Sequence, residues 1–278
     1  MHHSCIGVNL HDFSPTGGAT VDPEIVEQDL KLMKQHNINA IRCSHYPKAS
    51  YFYDLCDRYG FYVIDETDLE THGFEWIEKY EWLNEEESWK NAYCDRSSRM
   101  VKEHRNHPSI IMWSLGNESS TGANFDASAA GIRALDNTRL IHYEGDFEAE
   151  VTDVYSTMYT RLKGLKEIAE YQVKGDKPHV MCEYGHAMGN GPGGLKAYQD
   201  FYRKYKRLQG GFLWEWYDHG IYTEEEGQKY YKYGGNYGDF PTNGNFCIDG
   251  ILMPDRTPSP GMEEYKQIMR DHLNIAVP

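Results

Sequence analysis

Eight short, mostly apolar runs with the composition of β-strands recur along this chain, and segments of helical pattern stand between most of them. The runs are 5–11, 38–43, 61–65, 109–115, 139–143, 153–158, 178–182 and 211–216. They do not alternate cleanly between apolar and polar residues, which is the pattern of strands buried on both faces of a parallel sheet. Helical patterns fill 23–36, 49–59, 86–106, 124–136, 162–173, 194–207 and 261–271. The first opens on Asp22-Pro23-Glu24, a capping residue followed by proline at the first helical position, where a missing N–H is not needed. The connection 144–152 is too short for a helix, and long loops follow the third run (66–85) and the eighth (217–260). Eight βα units in 278 residues predict an α/β fold, a single (β/α)8 barrel over 1–278. A doubly wound open sheet would carry a glycine-rich phosphate loop after its first strand, and Gly17-Gly18 lacks that form.

In a barrel the C-terminal ends of all strands converge on one mouth. Polar residues crowd those ends here: His11 and Asp12, Ser44-His45-Tyr46, Asp65-Glu66 with Glu70 and His72, Asn117-Glu118, Glu144 and Asp146, Tyr159 and Arg161, Glu183-Tyr184 and His186, and Trp214 to Asp218. The expectation is one acidic, aromatic pocket. Glu118 and Glu183 each stand where an apolar run stops, and two carboxylates on different strands are the equipment of glycoside hydrolysis. One protonates the leaving oxygen, and the other attacks the sugar carbon or activates water. A lone strand-end glutamate is ordinarily just solvated; the shared setting gives the pair its weight. Asp65 and Glu215 read equally well as buried scaffold carboxylates paired with Arg42 or Arg99. Glu70-Thr71-His72 offers an oxygen and a nitrogen ligand two residues apart, which with Glu118 would hold one divalent cation. The loop Asn245–Gly250 offers carbonyls and Asp249 as hard oxygen ligands for a second.

Composition narrows the partners. Aromatic residues make up 14% of the chain, including 22 Tyr and 6 Trp, and their amphipathic rings suit sugar faces. A net charge of −15 argues against nucleic acid and anionic membranes. No apolar run approaches the ~18 residues of a membrane span. The six cysteines form no C-x-x-C pair and no signal peptide is visible, so a reduced, cytoplasmic protein is expected.

Several of these strings together resemble the β-galactosidases of glycoside hydrolase family 2. They are His45-Tyr46-Pro47 with Cys-Asp-Arg-Tyr-Gly (56–60), Glu70-Thr71-His72-Gly73, Arg-Asn-His-Pro-Ser (105–109), Trp-Ser-Leu-Gly-Asn-Glu-Ser (113–119), Cys-Glu-Tyr-Gly-His-Ala-Met-Gly-Asn (182–190), Leu-Gln-Gly-Gly-Phe (208–212) with Trp214, and Asp-Arg-Thr-Pro (255–258). They follow the family's order from about Gly7 to Met269. The resemblance implies a barrel that hydrolyses terminal β-galactosides of the lactose type with retention. Glu183 would be the nucleophile and Glu118 the acid/base. Glu70, His72 and Glu118 would bind Mg²⁺. Asn117 would touch the sugar 2-hydroxyl, His11 and His45 other ring hydroxyls, and His186 the 6-hydroxyl. Tyr159 would sit beside the nucleophile, and Trp214 would form part of the sugar-binding wall. A Na⁺ site would use the Phe246 carbonyl, but Asp249 stands where the family's Phe-Cys-Met-Asn-Gly string has asparagine, which changes that site's charge. Family members are multidomain chains, so the resemblance implies an excised barrel of a homo-oligomeric parent, whose flanking domain completes the sugar and Na⁺ sites. β-Glucuronidases and β-mannosidases share the Asn-Glu string. A glucuronidase needs cationic groups for its substrate's carboxylate, and none clusters at this mouth. A sugar-binding barrel without turnover is the reading from a different class.

Overall fold

Eight parallel strands form a nearly closed barrel in the computed structural model, which describes residues 5–171 and 173–273. They are β1 (Cys5–Asn9), β2 (Ala40–Arg42), β3 (Tyr62–Glu66), β4 (Ile110–Ser114), β5 (Leu140–His142), β6 (Tyr155–Met158), β7 (His179–Tyr184) and β8 (Leu208–Leu213). Their order is β5-β4-β3-β2-β1-β8-β7-β6, with every ladder parallel. The seam between β5 and β6 is closed by isolated bonds. The Asp153 N–H donates to the Ile141 carbonyl at 2.9 Å, and His142 Nε2 meets Ser156 Oγ at 2.9 Å.

The helices are α1 (Pro23–Gln35), α2 (Ser50–Tyr59), α3 (Trp82–Glu85), α4 (Lys90–His104), α5 (Ala123–Leu135), α6 (Leu162–Tyr171), α7 (Leu195–Lys204) and α8 (Pro260–Leu273). Asp22 caps α1 as its sequence predicts, accepting from the Glu24 N–H at 2.8 Å. Val26, Leu30 and Met33 then bury one face of that helix against the barrel. No helix follows β5. There Asp146 accepts from the backbone N–H groups of Glu150, Val151 and Thr152 and so shapes a turn.

Inside the barrel, period-2 alternation stacks two layers of opposite character. The lower layer is apolar, built from Cys5, Ala40, Ile64, Met112, Val154, Val180 and Phe212. Two residues further along five of these strands stand Arg42, Glu66, Ser114, Ser156 and Cys182, all buried. The apolar layer anchors the fold, and the polar layer is the floor of the mouth.

Three expectations change. The eighth strand ends at Leu213, so Trp214, Glu215 and Trp216 follow it. It also starts at Leu208, three residues before the expected 211, and takes in Gly210, where a Cβ would lie 2.1 Å from the Cys5 carbonyl oxygen on β1. The helical pattern 86–106 yields only α4, preceded by α3 and a 3₁₀ turn over Glu87–Trp89, because Glu86 between them is extended, with φ −78° and ψ 109°. The connection 217–260 contains an antiparallel hairpin, β9 (Ile221–Glu225) and β10 (Gln228–Lys232). Its two-residue turn, Glu226-Gly227, has φ of 52° and 76°, the left-handed geometry that matches strand twist. All six cysteines are free thiols, and no helix among the described residues is long and apolar enough to cross a membrane.

Candidate active site

Arg42, the last residue of β2, organises the floor of the mouth. It is fully buried and uses every N–H it has. Nε and Nη2 grip Glu66 of β3 at 2.8 and 2.9 Å. Nη1 donates to Asn9 Oδ1 of β1 at 3.1 Å and to Glu183 Oε1 of β7 at 2.8 Å. Nη2 also donates to Asn117 Oδ1, just beyond β4, at 2.8 Å. Four strands thus present acceptors to one cation. This corrects the expected pairing of Arg42 with Asp65 or Glu215. Asp65 instead bonds Tyr53 at 2.5 Å and His104 at 2.8 Å, outside the mouth. Glu215 bonds His11, and Arg99 pairs on the surface with Asp95 at 2.9 Å. The reason is direction. Consecutive strand residues face opposite ways, so Glu66 points in with Arg42 while Asp65 points out.

Glu66 is the counter-charge. Burial alone would push its carboxyl up, but Arg42 and His45 outweigh this and hold it at about 2. Glu183 differs. Burial raises its carboxyl, opposed by the Arg42 ion pair and by Tyr159, whose hydroxyl donates to Oε2 at 2.8 Å. The Tyr159 N–H also donates to the Glu183 carbonyl at 2.8 Å, and its backbone takes a left-handed φ of 50°, which delivers the ring over the carboxylate. Burial beside Glu183 drives the Tyr159 phenol upward, so it stays a donor.

Two imidazoles are held in the same way. His45 Nδ1 lies 2.7 Å from Glu66 Oε1, and His11 Nδ1 lies 2.7 Å from Glu215 Oε2. Burial lowers His45 to about 4, so the ring is neutral, gives its Nδ1 proton to Glu66 and leaves Nε2 as an acceptor. Trp214 stacks on His45, with centroids 5.2 Å apart and planes 13° from parallel. Its indole N–H donates to Asp249 Oδ2 at 2.8 Å, and His186 Nε2 lies 3.6 Å from the same oxygen.

These groups line one open cleft of about 930 Å³. His11, His45, Glu70, His72, Asn117, Glu118, Tyr159, Glu183, His186, Trp214, Phe246 and Asp249, the residues to which the resemblance gives site roles, line it, whereas Asp12, Ser44, Tyr46, Glu144, Asp146, Arg161, Tyr184 and Asp218, also expected at the strand ends, do not. Trp76, Thr242, Asn243 and Gly244 line it too, and sequence reasoning missed them. Arg42 was legible: an arginine within the apolar run Ile38–Cys43 is a buried cation that demands partners.

Two donor sets suit cations. One oxygen or nitrogen from each of Glu70, His72 and Glu118 lies within 4.8 Å of the others, and His72 Nδ1 is 3.0 Å from Glu118 Oε2. Burial, with Glu118 next, raises Glu70, the state of a carboxylate short of positive charge. Two carboxylates and one imidazole therefore fit Mg²⁺. At the second set, Asp249 Oδ1 is buried without a hydrogen-bond partner, and burial followed by Glu215 pushes this carboxyl up to about 8. An orphaned hard oxygen fits a monovalent cation.

The family profile "Glycosyl hydrolases family 2, TIM barrel domain" matches residues 4–274. A β-galactosidase of Pectobacterium atrosepticum is 45% identical over 281 residues, covering 97% of this chain and 27% of that protein. One from Yersinia pestis is 44% identical over 270 residues, covering 93% and 25%. The chain thus spans about a quarter of the length of these relatives. Among solved structures, a Faecalibacterium prausnitzii β-glucuronidase superposes with TM-score 0.69 at 24% identity, over 96% of this chain and 49% of that one. A Ruminococcus gnavus β-glucuronidase gives 0.71 at 21%, over 95% and 50%. At those identities the likeness is one of fold.

Proposed function

The chain belongs to family 2 of the glycosyl hydrolases, and on that footing we propose that it is the catalytic barrel of a retaining β-galactosidase. The observation that carries the reading is the unequal setting of two carboxylates on one cleft. Glu183 is buried and tied to a cation, whereas Glu118 is about a third exposed beside a cation-binding set. Burial pushes the Glu183 carboxyl up to about 8, and the Arg42 ion pair and the Tyr159 hydroxyl oppose it, favouring the ionised form that attacks. A group open to solvent can exchange protons.

The mechanism follows. Glu183 attacks the anomeric carbon while Glu118 gives its proton to the glycosidic oxygen, and the aglycone leaves as an alcohol. The galactosyl ester on Glu183 is then attacked by water, whose proton returns to Glu118, and galactose departs with retained configuration. Arg42 and Tyr159 fix both oxygens of Glu183, so little reorganisation is needed. Neutral His45, with Nε2 free to accept, binds ring hydroxyls together with His11 and Asn117. Trp214 supplies the apolar wall. Mg²⁺ held by Glu70, His72 and Glu118 would supply positive charge beside the acid/base.

The glucuronidase alternative is disfavoured by charge. The cleft's charged lining is Glu70, Glu118, Glu183 and Asp249, with no Lys or Arg among the described lining residues to receive a uronate. The test sets nitrophenyl β-galactoside against the glucuronide and mannoside, with 2-fluoro-galactoside trapping and peptide mapping. Galactoside turnover with the label on Glu183 is expected. Label on Glu118, a preferred glucuronide, or sugar binding without turnover would overturn the assignment.

A further inference from the structure

On the β1–β8 side of the cleft, three side chains converge on a single oxygen. His11 Nδ1 lies 2.7 Å, and His219 Nε2 3.4 Å, from Glu215 Oε2. One donor atom from each residue lies within 4.8 Å of the others. We propose that His11, Glu215 and His219 form a binding site for a borderline transition-metal dication of the Zn²⁺ class, and that filling it closes the galactoside pocket.

The geometry is close to what such an ion requires. Tetrahedral Zn²⁺ with bonds of ~2.1 Å separates its ligand atoms by roughly 3.4 Å. The set needs shifts of well under a rotamer change to reach that arrangement. It is also prebuilt. Glu215 is 2% exposed, with its N–H donated to the Asp249 carbonyl at 3.1 Å and its own carbonyl accepting from Ile251 at 2.8 Å. The His219 ring stacks on Phe13, with centroids 4.8 Å apart and planes 20° from parallel, and the residue's backbone N–H donates to the Cys247 carbonyl at 2.8 Å. His219 Nε2 itself is buried and makes no hydrogen bond. A buried ring nitrogen whose carboxylate neighbour stands at 3.4 Å without making a hydrogen bond is short of a ligand.

The donor set also selects the ion. Two imidazoles and one carboxylate favour Zn²⁺, Cu²⁺ or Ni²⁺ over the hard dications, which take oxygen. The Glu70–His72–Glu118 set has the opposite balance. One protein carries, on two sides of one cleft, a harder site and a softer one.

Occupation alters the sugar site through tautomerism. With Nδ1–H given to Glu215, His11 turns Nε2 to the cleft as an acceptor. A metal on Nδ1 moves the ring proton to Nε2, so the face that accepts a sugar hydroxyl becomes a donor. Of the three ligands His11 lines the cleft, so a bound ion would adjoin the sugar site. This pocket-closing half rests on the galactosidase reading; the binding half does not.

The test uses the full chain saturated with Mg²⁺. Zn²⁺ is titrated calorimetrically into wild type and His219→Gln, and zinc-edge anomalous maps are collected from Zn²⁺-soaked wild-type crystals. A peak between His11, Glu215 and His219 is expected, with binding at least ~10-fold weaker in H219Q. Hydrolysis by wild type should show competitive Zn²⁺ inhibition that H219Q resists, while its activity without Zn²⁺ is unchanged. A peak only at Glu70–His72–Glu118, or equal affinity in H219Q, overturns the site. A peak at the proposed site with uninhibited hydrolysis overturns pocket closing alone. If the chain turns over no galactoside at all, the functional reading fails, and the anomalous map still decides the metal site.

Discussion

Replacing Arg42 by lysine keeps the charge and removes the fork. Arg42 spends five donor hydrogens on Glu66, Asn9, Glu183 and Asn117, and lysine has three. At least two of the five bonds are therefore lost, between groups that are buried. A hydrogen bond to a charged group is worth about 1.5–3 kcal/mol, so the loss totals about 3–6 kcal/mol, divided between folding and catalysis. If the Glu183 bond is one of those lost, kcat falls about 10–100-fold, since ~1.4 kcal/mol is a factor of ten. The assay pairs urea denaturation, followed by tryptophan fluorescence, with kcat on nitrophenyl β-galactoside. The expected result is a lower midpoint at unchanged slope, together with a lower kcat at nearly constant KM. An R42K protein within about 1 kcal/mol of wild type and within roughly twofold in kcat would show that the bonds made by the fork carry little net free energy, against the reasoning above.

Three further outcomes are expected. Tyr159→Phe removes one hydrogen bond to the Glu183 carboxylate and should lower kcat about 10–100-fold with little change in urea midpoint; an unaltered kcat would leave the hydroxyl without a role. Acid should destabilise the fold, through His142 as pH falls below 6.5 and through Glu66 below pH 4.5. Glu66 and His142 are both depressed in the folded state, to about 2 and about 3, so their contributions are complete above their unfolded pKa values and are lost as pH falls through that range. For Glu66 alone the loss approaches about 3 kcal/mol, and a urea midpoint that stays level from pH 4.5 to 3 would contradict it. Chelation should lower both Tm and activity, and Mg²⁺ should restore them in wild type but not in Glu70→Gln; chelator without effect on either quantity would remove the metal from the account.

Local pattern was enough to predict much of this molecule. Alternation of β-like and helical runs specified eight strands around one barrel, since fully buried parallel strands must be nearly all apolar whatever their neighbours. The end of each run marked the mouth, and that is why Glu70, Glu118, Glu183, His45 and Trp214 could be named without coordinates. Where a run met glycine the pattern failed. Gly210 belongs to β8 because β1 passes too close for any Cβ, a fact about a partner some 200 residues away. The β9–β10 hairpin was hidden because Glu226-Gly227 is a weak turn signal and its strands, largely exposed, show no core face.

The partner of each charge was decided only by the tertiary structure. The chain shows that Arg42 lies in a buried strand; it does not show that Glu66, Asn9, Glu183 and Asn117, up to 141 positions distant, all reach it. Nor does it show that Glu215 holds His11 while Asp65 turns away to His104. Strand propensity and burial depend on side chains within a few residues, so they are written locally. Hydrogen-bond pairing depends on which way each side chain leaves the sheet and on the register between strands, and both arise only when the barrel closes.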